Sequence, residues 1–210
     1  MNKCVILGAG EYGANFPAYD KNDFYIAADG GFSAAERFGI KPNLLIGDFD
    51  SLKTALPQDI KTVSLPVNKD VTDMDAAVSE GIRLGYNNFE LYGGTGGRPD
   101  HTFANLSLLA RLSQNKKRAV LFGSGFIFTA VTNDKIKITC SEGKTLSLFS
   151  WTDTSQGVTT TGVQYPLNNK TLLSSFALGV SNSFTKETAE ISVENGTLIV
   201  MSETPSFLVD

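Results

Sequence analysis

Leu44-Leu45-Ile46-Gly47-Asp48-Phe49-Asp50-Ser51 runs three apolar residues into a glycine and two carboxylates. A short apolar run that stops at Gly and Asp reads as a buried strand ending at a site. In an extended backbone side chains alternate, so Asp48 and Asp50 are expected on one side and Phe49 on the other. Two carboxylates side by side repel, and a cation between them removes that penalty. A hard divalent ion, with water and phosphate completing its shell, is the usual form of Mg²⁺ in phosphoryl chemistry. Gly, Asp and Ser are also turn residues, so a solvated β-turn is the competing reading of these eight positions.

Working outward, Cys4 to Leu7 and Phe24 to Ala28 read as earlier strands, the second ending in Asp29-Gly30-Gly31. Ala34, Ala35 and Phe38 mark a short helix stopped near Gly39. Thr62 to Leu65 is a weaker fourth strand. Thr72 then suits an N-cap, with Asp75 three residues on, and Met74, Ala77, Val78 and Ile82 give one apolar helical face. Phe89 to Tyr92 is a fifth strand. It opens into Gly93-Gly94-Thr95-Gly96-Gly97-Arg98-Pro99-Asp100-His101, and a second amphipathic helix begins near Pro99. Ala119 to Phe122 is a sixth strand. Strands alternating with helices predict a parallel sheet flanked by helices.

After Gly123-Ser124-Gly125 the helical period disappears. Short runs rich in Thr, Val, Ile and Phe, separated by Asn133-Asp134, Glu142-Gly143 and Asn195-Gly196, predict an all-β sandwich or barrel. The expected organisation is therefore an α/β domain over 1–124 and a C-terminal all-β domain over 125–210.

Composition narrows the function. With 41% hydrophobic and 19% charged residues, the 210-residue chain can build a core and is not a disordered type. A net charge of −4 without a dense basic run argues against a nucleic-acid surface. Two cysteines and one histidine exclude a disulfide framework and a histidine-rich zinc site. No stretch approaches a membrane span or a signal peptide, so a cytoplasmic setting is expected. Gly8-Ala9-Gly10-Glu11-Tyr12-Gly13 fits G-x-G-x-x-G, with Asp29 about twenty residues on. The next residues carry Pro17 and no helical period, so the helix that a dinucleotide fingerprint requires is missing.

Three acidic positions, Asp29, the Asp48/Asp50 pair and Asp73, close strands or open helices. Ligands of open parallel sheets bind outside the carboxyl ends of the strands. The glycine-rich loop after the fifth strand reaches the same edge. It offers backbone amides, a helix N-terminus and the planar fork of Arg98, all suited to phosphate. Taken singly, Asp73 and Asp100 fit ordinary first-turn acids, His101 a structural histidine and Lys69 a solvated cation.

The series Ala28-Asp29-Gly30-Gly31, Gly47-Asp48-Phe49-Asp50-Ser51, Lys69-Asp70-x-Thr72-Asp73 and Gly93-Gly94-x-Gly96-Gly97-Arg98-x-Asp100-His101 resembles the thiamine pyrophosphokinase family. Ser147-Leu148-Phe149, Gly157-Val158-x-Thr160-x-Gly162-Val163-x-Tyr165-Pro166-Leu167 and Gly179-Val180-Ser181-Asn182 extend the resemblance through the β domain. It implies transfer of the pyrophosphoryl group of ATP to the hydroxyl of thiamine, with release of AMP. It also implies Mg²⁺ on Asp48, Asp50 and Asp73. Asp29, Lys69, Asp70, Thr72, Gly94, Arg98 and Asp100 would line the nucleotide and phosphates, Asp73 and Arg98 being the catalytic pair. Ser181 and Asn182 would approach thiamine, in a homodimer with sites between subunits. Ser183 follows where bacterial relatives often carry an acid, and Trp151 matches no thiamine-stacking aromatic. The D-x-D of sugar-nucleotide glycosyltransferases and a non-catalytic nucleotide sensor are the rival readings.

Overall fold

The computed structural model describes residues 2–13, 16, 19–49, 57–66 and 70–203. It divides into two compact units, Met1–Asn105 with Leu121–Ser124, and Leu106–Val120 with Gly125–Asp210.

In the first unit, β1 (Cys4–Leu7), β2 (Phe24–Ala28), β3 (Leu44–Gly47), β4 (Lys61–Ser64) and β5 (Asn88–Tyr92) form a parallel array in the order β5-β1-β2-β3-β4. All four residues of β1 are fully buried. A continuous apolar strand suits this position, because a parallel sheet is covered on both faces. Val5, Leu7, Tyr25 and Tyr92 pack with Ala35 and Ile40 in one cluster, while Ala27, Phe32 and Leu45 form another. β1 is followed by β2 on one side and has β5 on the other. The loops leaving β1 and β5 therefore lie where the strand order reverses.

The helices are α1 (Gly31–Arg37), α2 (Asp73–Arg83) and α3 (Pro99–Gln114). Gly31 is required at the start of α1, since a Cβ there would lie 1.9 Å from the Leu7 carbonyl oxygen. The Thr72 hydroxyl caps α2 by accepting from the Asp75 amide at 3.2 Å. Asp73 and Asp75 in its first turn and Arg83 in its last complement the helix dipole. Met74, Ala77, Val78 and Gly81 are its buried face.

One polar group is built into this core. Glu90 on β5 is buried, and its carboxylate accepts from Lys3 Nζ at 2.7 Å and from the Tyr92 hydroxyl at 3.1 Å. Asp23 stands 3.7 Å from the same ammonium.

β6 (Arg118–Phe122) carries the chain between units: its first three residues belong to the second and its last two to the first. The second unit holds β7 (Phe126–Thr132), β8 (Lys135–Thr139), β9 (Thr145–Ser150), β10 (Thr154–Thr161), β11 (Lys170–Leu173), β12 (Asn182–Ser183), β13 (Thr188–Ser192) and β14 (Thr197–Glu203). They make two antiparallel layers, β12-β9-β14-β7 and β11-β10-β13-β8. Alternate residues such as Leu146, Leu148, Leu198 and Val200 from one layer meet Ile138, Val158, Ala189 and Ile191 from the other. This is a β-sandwich core. The α/β domain followed by an all-β domain is the class expected from the sequence.

As the sequence predicts, the G-x-G-x-x-G stretch opens no helix among the described residues; Glu11 bridges Thr95. Two local readings change. β11 and β12 have no alternating pattern and escape the sequence. The extended backbone expected through Asp50 ends early. Phe49 has φ +58°, and its ring packs against the cluster of Phe32 and Leu45. Burying that ring turns the chain, so period-two alternation does not carry past Asp48. Asp50 itself lies outside the described residues, as does Lys69.

Candidate active site

The loops after β1 and β5 are joined by backbone hydrogen bonds. The amides of Gly8, Gly10 and Glu11 donate to the carbonyls of Tyr92, Gly93 and Thr95 at 2.8, 2.8 and 2.9 Å. A Cβ on Gly10 would fall 2.6 Å from the Gly93 oxygen and 2.7 Å from that of Thr95. Glycine is thus needed here for loop-to-loop approach. The amides of Gly8 and Gly10 are spent on this contact, so the first glycine loop is a wall and not a phosphate cradle. The Tyr12 hydroxyl donates to the Gly8 carbonyl at 2.6 Å from behind.

A cavity of about 350 Å³ opens at this junction. Its walls are residues 8–10 after β1, Ala28 and Asp29 at the end of β2, residues 72–74 at the start of α2, residues 93–98 after β5, and His101 and Asn105 of α3. All belong to the first unit.

Of the acids singled out in the sequence, Asp29 and Asp73 line this cavity. Asp29 has φ +46°, a left-handed backbone that Asp tolerates better than most residues, and its amide donates to Ile46 O at 2.8 Å. Gly47 packs on it, for a Cβ there would lie 3.0 Å from Asp29 Cα. The ends of β2 and β3 therefore abut, and Asp48, half-buried, is the next residue along the chain. Asp48 and the exposed Asp70 are not on the cavity wall.

Among the described residues no group of three or more His, Cys, Asp or Glu could by itself hold a metal. The donors in the cavity nevertheless fit Mg²⁺. Asp29 and Asp73 offer hard carboxylate oxygens, and Mg²⁺ commonly takes one or two of these with phosphate and water.

Thr72, Gly94 and Arg98 also line the cavity. The Arg98 guanidinium grips Asp100 with two hydrogen bonds, Nε to Oδ1 at 3.2 Å and Nη2 to Oδ2. The hydrogen bond from Arg98 holds the Asp100 carboxyl down at about 2. Both side chains are exposed, so the pair stands at the rim.

In the second unit, Ser181 has φ +60° and its amide donates to the Ser147 hydroxyl at 3.1 Å. The Asn182 carboxamide is committed to the backbone of Tyr165. Its oxygen accepts from the Tyr165 amide at 3.0 Å, and its nitrogen donates to the Tyr165 carbonyl at 2.8 Å. The Tyr165 side chain itself is 64% exposed. Sequence reasoning did not single out Tyr165 as an aromatic contact, because its presentation depends on a residue seventeen positions away. It also missed Ala9, Met74 and Asn105; for Asn105 the available signal was its helical spacing of four from His101.

Residues 17–121 match the family model described as thiamin pyrophosphokinase, catalytic domain, and residues 133–198 that of the thiamin pyrophosphokinase vitamin B1 binding domain. The chain is 26% identical over 191 residues to the thiamine pyrophosphokinase of Bacillus subtilis, covering 88% of this chain and 89% of that protein. It is 28% identical over 181 residues to thiamine pyrophosphokinase 1 of Oryza sativa, covering 79% and 68%. In structure it is similar to the B. subtilis crystal structure with a TM-score of 0.84 at 23% identity, over 97% and 99% of the two chains. The Candida albicans thiamin pyrophosphokinase superposes with a TM-score of 0.76 at 13% identity, over 96% and 90%. With one model matching half of its length and a second covering much of the rest, the chain belongs to the thiamin pyrophosphokinase family and is an enzyme of that diphosphotransferase class.

Proposed function

We propose that the cavity at the β1/β5 switch point binds ATP and transfers its pyrophosphoryl group to the hydroxyl of thiamine. The observation that carries this reading is convergence: Asp29, Asp73, Thr72, Gly94 and Arg98, drawn from three separate segments, face one space of about 350 Å³. In the reaction the thiamine hydroxyl oxygen attacks the β-phosphorus. The new O–P bond forms as the bond from the β-phosphorus to the α,β-bridging oxygen breaks, and AMP leaves with that oxygen. The hydroxyl proton passes to a carboxylate facing the cavity, Asp29 or Asp73.

Catalysis of this type rests on in-line positioning and on stabilising charge as it develops. The loop amides after β5 and the Arg98 fork meet phosphate oxygens, Arg98 exchanging Asp100 for phosphate as ATP enters. Asp73 would hold Mg²⁺ from the cavity wall, with Asp29 facing the same space and Asp48 and Asp50, which follow β3 in the chain, as the further carboxylates; the ion would supply positive charge to the phosphate oxygens. Lys69 is the further cation offered to the phosphates, Asp70 meets the nucleotide only beyond the cavity wall, and Asp100 orients Arg98.

Thiamine is a cationic heteroaromatic, which an exposed aromatic face and an acidic surrounding favour. Ser181 therefore contributes its polar contact, and Asn182 acts by presenting Tyr165 as the stacking ring. The exposed Phe176, Leu178 and Val180 of the same unit support a homodimer with sites at the subunit interface. Cys4 and Cys140, both buried and neither in a disulfide, suit a reducing cytoplasm.

Incubation with ATP, Mg²⁺ and thiamine tests the reading. AMP and thiamine diphosphate in equal amounts are expected, whereas ADP with thiamine monophosphate would point to a different phosphoryl transfer. Tyr165→Ala is expected to raise KM for thiamine roughly tenfold and to leave that for ATP unchanged, the scale of one lost cation–π contact.

A further inference from the structure

The loop after β5 is rich in residues that do not hold a conformation by themselves. Gly93, Gly96 and Gly97 have φ of +63°, +80° and +54°. Yet three successive carbonyls of this loop are tied. Gly93 O and Thr95 O accept from the amides of Gly10 and Glu11, on the β1 side. Gly94 O, between them, accepts from the Asn105 side-chain nitrogen at 2.7 Å, from α3. Asn105 is only 4% exposed, lines the cavity, and lies one helical turn beyond His101. A carbonyl only accepts, so this contact fixes which end of the Asn105 carboxamide faces Gly94.

We propose that Asn105 is the positioning residue of the pyrophosphoryl site, holding the Gly94 carbonyl back so that the loop presents amides, and not a carbonyl oxygen, to the phosphates. The inference rests on the reading that this cavity binds ATP. Its physical basis is the repulsion between a carbonyl oxygen and a phosphate oxygen. If the Gly94 peptide turns, an acceptor replaces a donor at the anion. Two of the three ties are backbone bonds that no side-chain change removes. The Asn105 bond is the tie that sequence controls.

The test measures the dissociation constant of MgATP by calorimetry for the wild type, Asn105→Leu and Asn105→Asp, with thermal midpoints recorded for each. Asn105→Leu is expected to weaken MgATP binding about tenfold or more, the scale of losing a hydrogen bond to a buried carbonyl. Asn105→Asp is expected to do the same at pH 8, where an ionised carboxylate cannot donate. A carboxyl buried at this position beside a carbonyl oxygen is raised above its ordinary value of about 4. As pH falls to 5 a growing acid fraction therefore regains an O–H donor, and affinity relative to wild type recovers. Asp29, Asp73, Arg98 and His101 face the same space, and dividing by the wild-type value at each pH removes their titration. A purely structural role lowers the thermal midpoint without this pH-dependent recovery. Wild-type affinity in both variants, or a relative affinity of Asn105→Asp that does not change with pH, overturns the proposal. Wild type that binds MgATP but releases no AMP refutes the assigned reaction and leaves the binding comparison intact. Wild type that does not bind MgATP refutes both.

Discussion

Arg98 and Asp100 show how a single side chain can hold a site ready before its ligand arrives. The guanidinium fork is paired with a carboxylate whose pKa is held at about 2. A depressed carboxyl pKa gives an interaction that is complete above the ordinary carboxylate range and is lost only as pH falls through the folded value. The pair is therefore intact from pH 5 to 9, and ATP affinity is expected to show no inflection from Asp100 in that window. A pH series of KM for ATP, run beside Asp100→Asn, checks this. Arg98→Lys keeps the charge and loses the fork, so kcat/KM for ATP should fall roughly tenfold, read from steady-state kinetics. Burial pushes the Cys4 thiol up to about 12. It should stay unlabelled by iodoacetamide at pH 8 in the native protein and react once the protein is unfolded. Asp29 and Asp73 could be read from the sequence because their meaning is local: an acid directly after a strand, or directly after a cap. Asn105 and Tyr165 could not, because Asn105 binds a backbone carbonyl eleven residues away and the Tyr165 backbone is held by a side chain seventeen residues away.

At the level of elements, the parallel strands were legible because β1, β2 and β3 are apolar runs with turn residues after them. α2 was legible because its cap is written as Thr72 followed by Asp75. Thr72→Ala is expected to cost about 1 kcal/mol of stability, measured by chemical denaturation, because the Asp75 amide loses its acceptor. At Phe49 the sequence offered both extension and a turn; the backbone turns there, with the ring packed on Phe32 and Leu45. The glycines of the first loop were legible as glycines but not for their purpose. Gly10 is there because two loop backbones meet, with no room for a Cβ between two carbonyl oxygens.

For the molecule as a whole, the ionisable groups buried in the first unit set its response to base. Burial alone would lower the Lys3 ammonium, but its hydrogen bond to Glu90 and the charges of Glu90 and Asp23 outweigh this and raise it. Burial likewise pushes the Tyr12 and Tyr92 hydroxyls up. A group whose folded pKa is raised contributes stability that is complete below its unfolded pKa and disappears as pH rises toward the folded one. The thermal midpoint should therefore hold through neutral pH and decline above about pH 10, where unfolded Tyr and Lys begin to ionise. The proposed chemistry sits in one place in this molecule, the cavity where the order of the parallel strands reverses. Its most direct test is AMP release by Asp73→Ala in the presence of ATP, Mg²⁺ and thiamine, with the thermal midpoint measured on the same sample. Turnover is expected to fall by roughly a hundredfold or more with the fold retained. Wild-type turnover in that variant would contradict it.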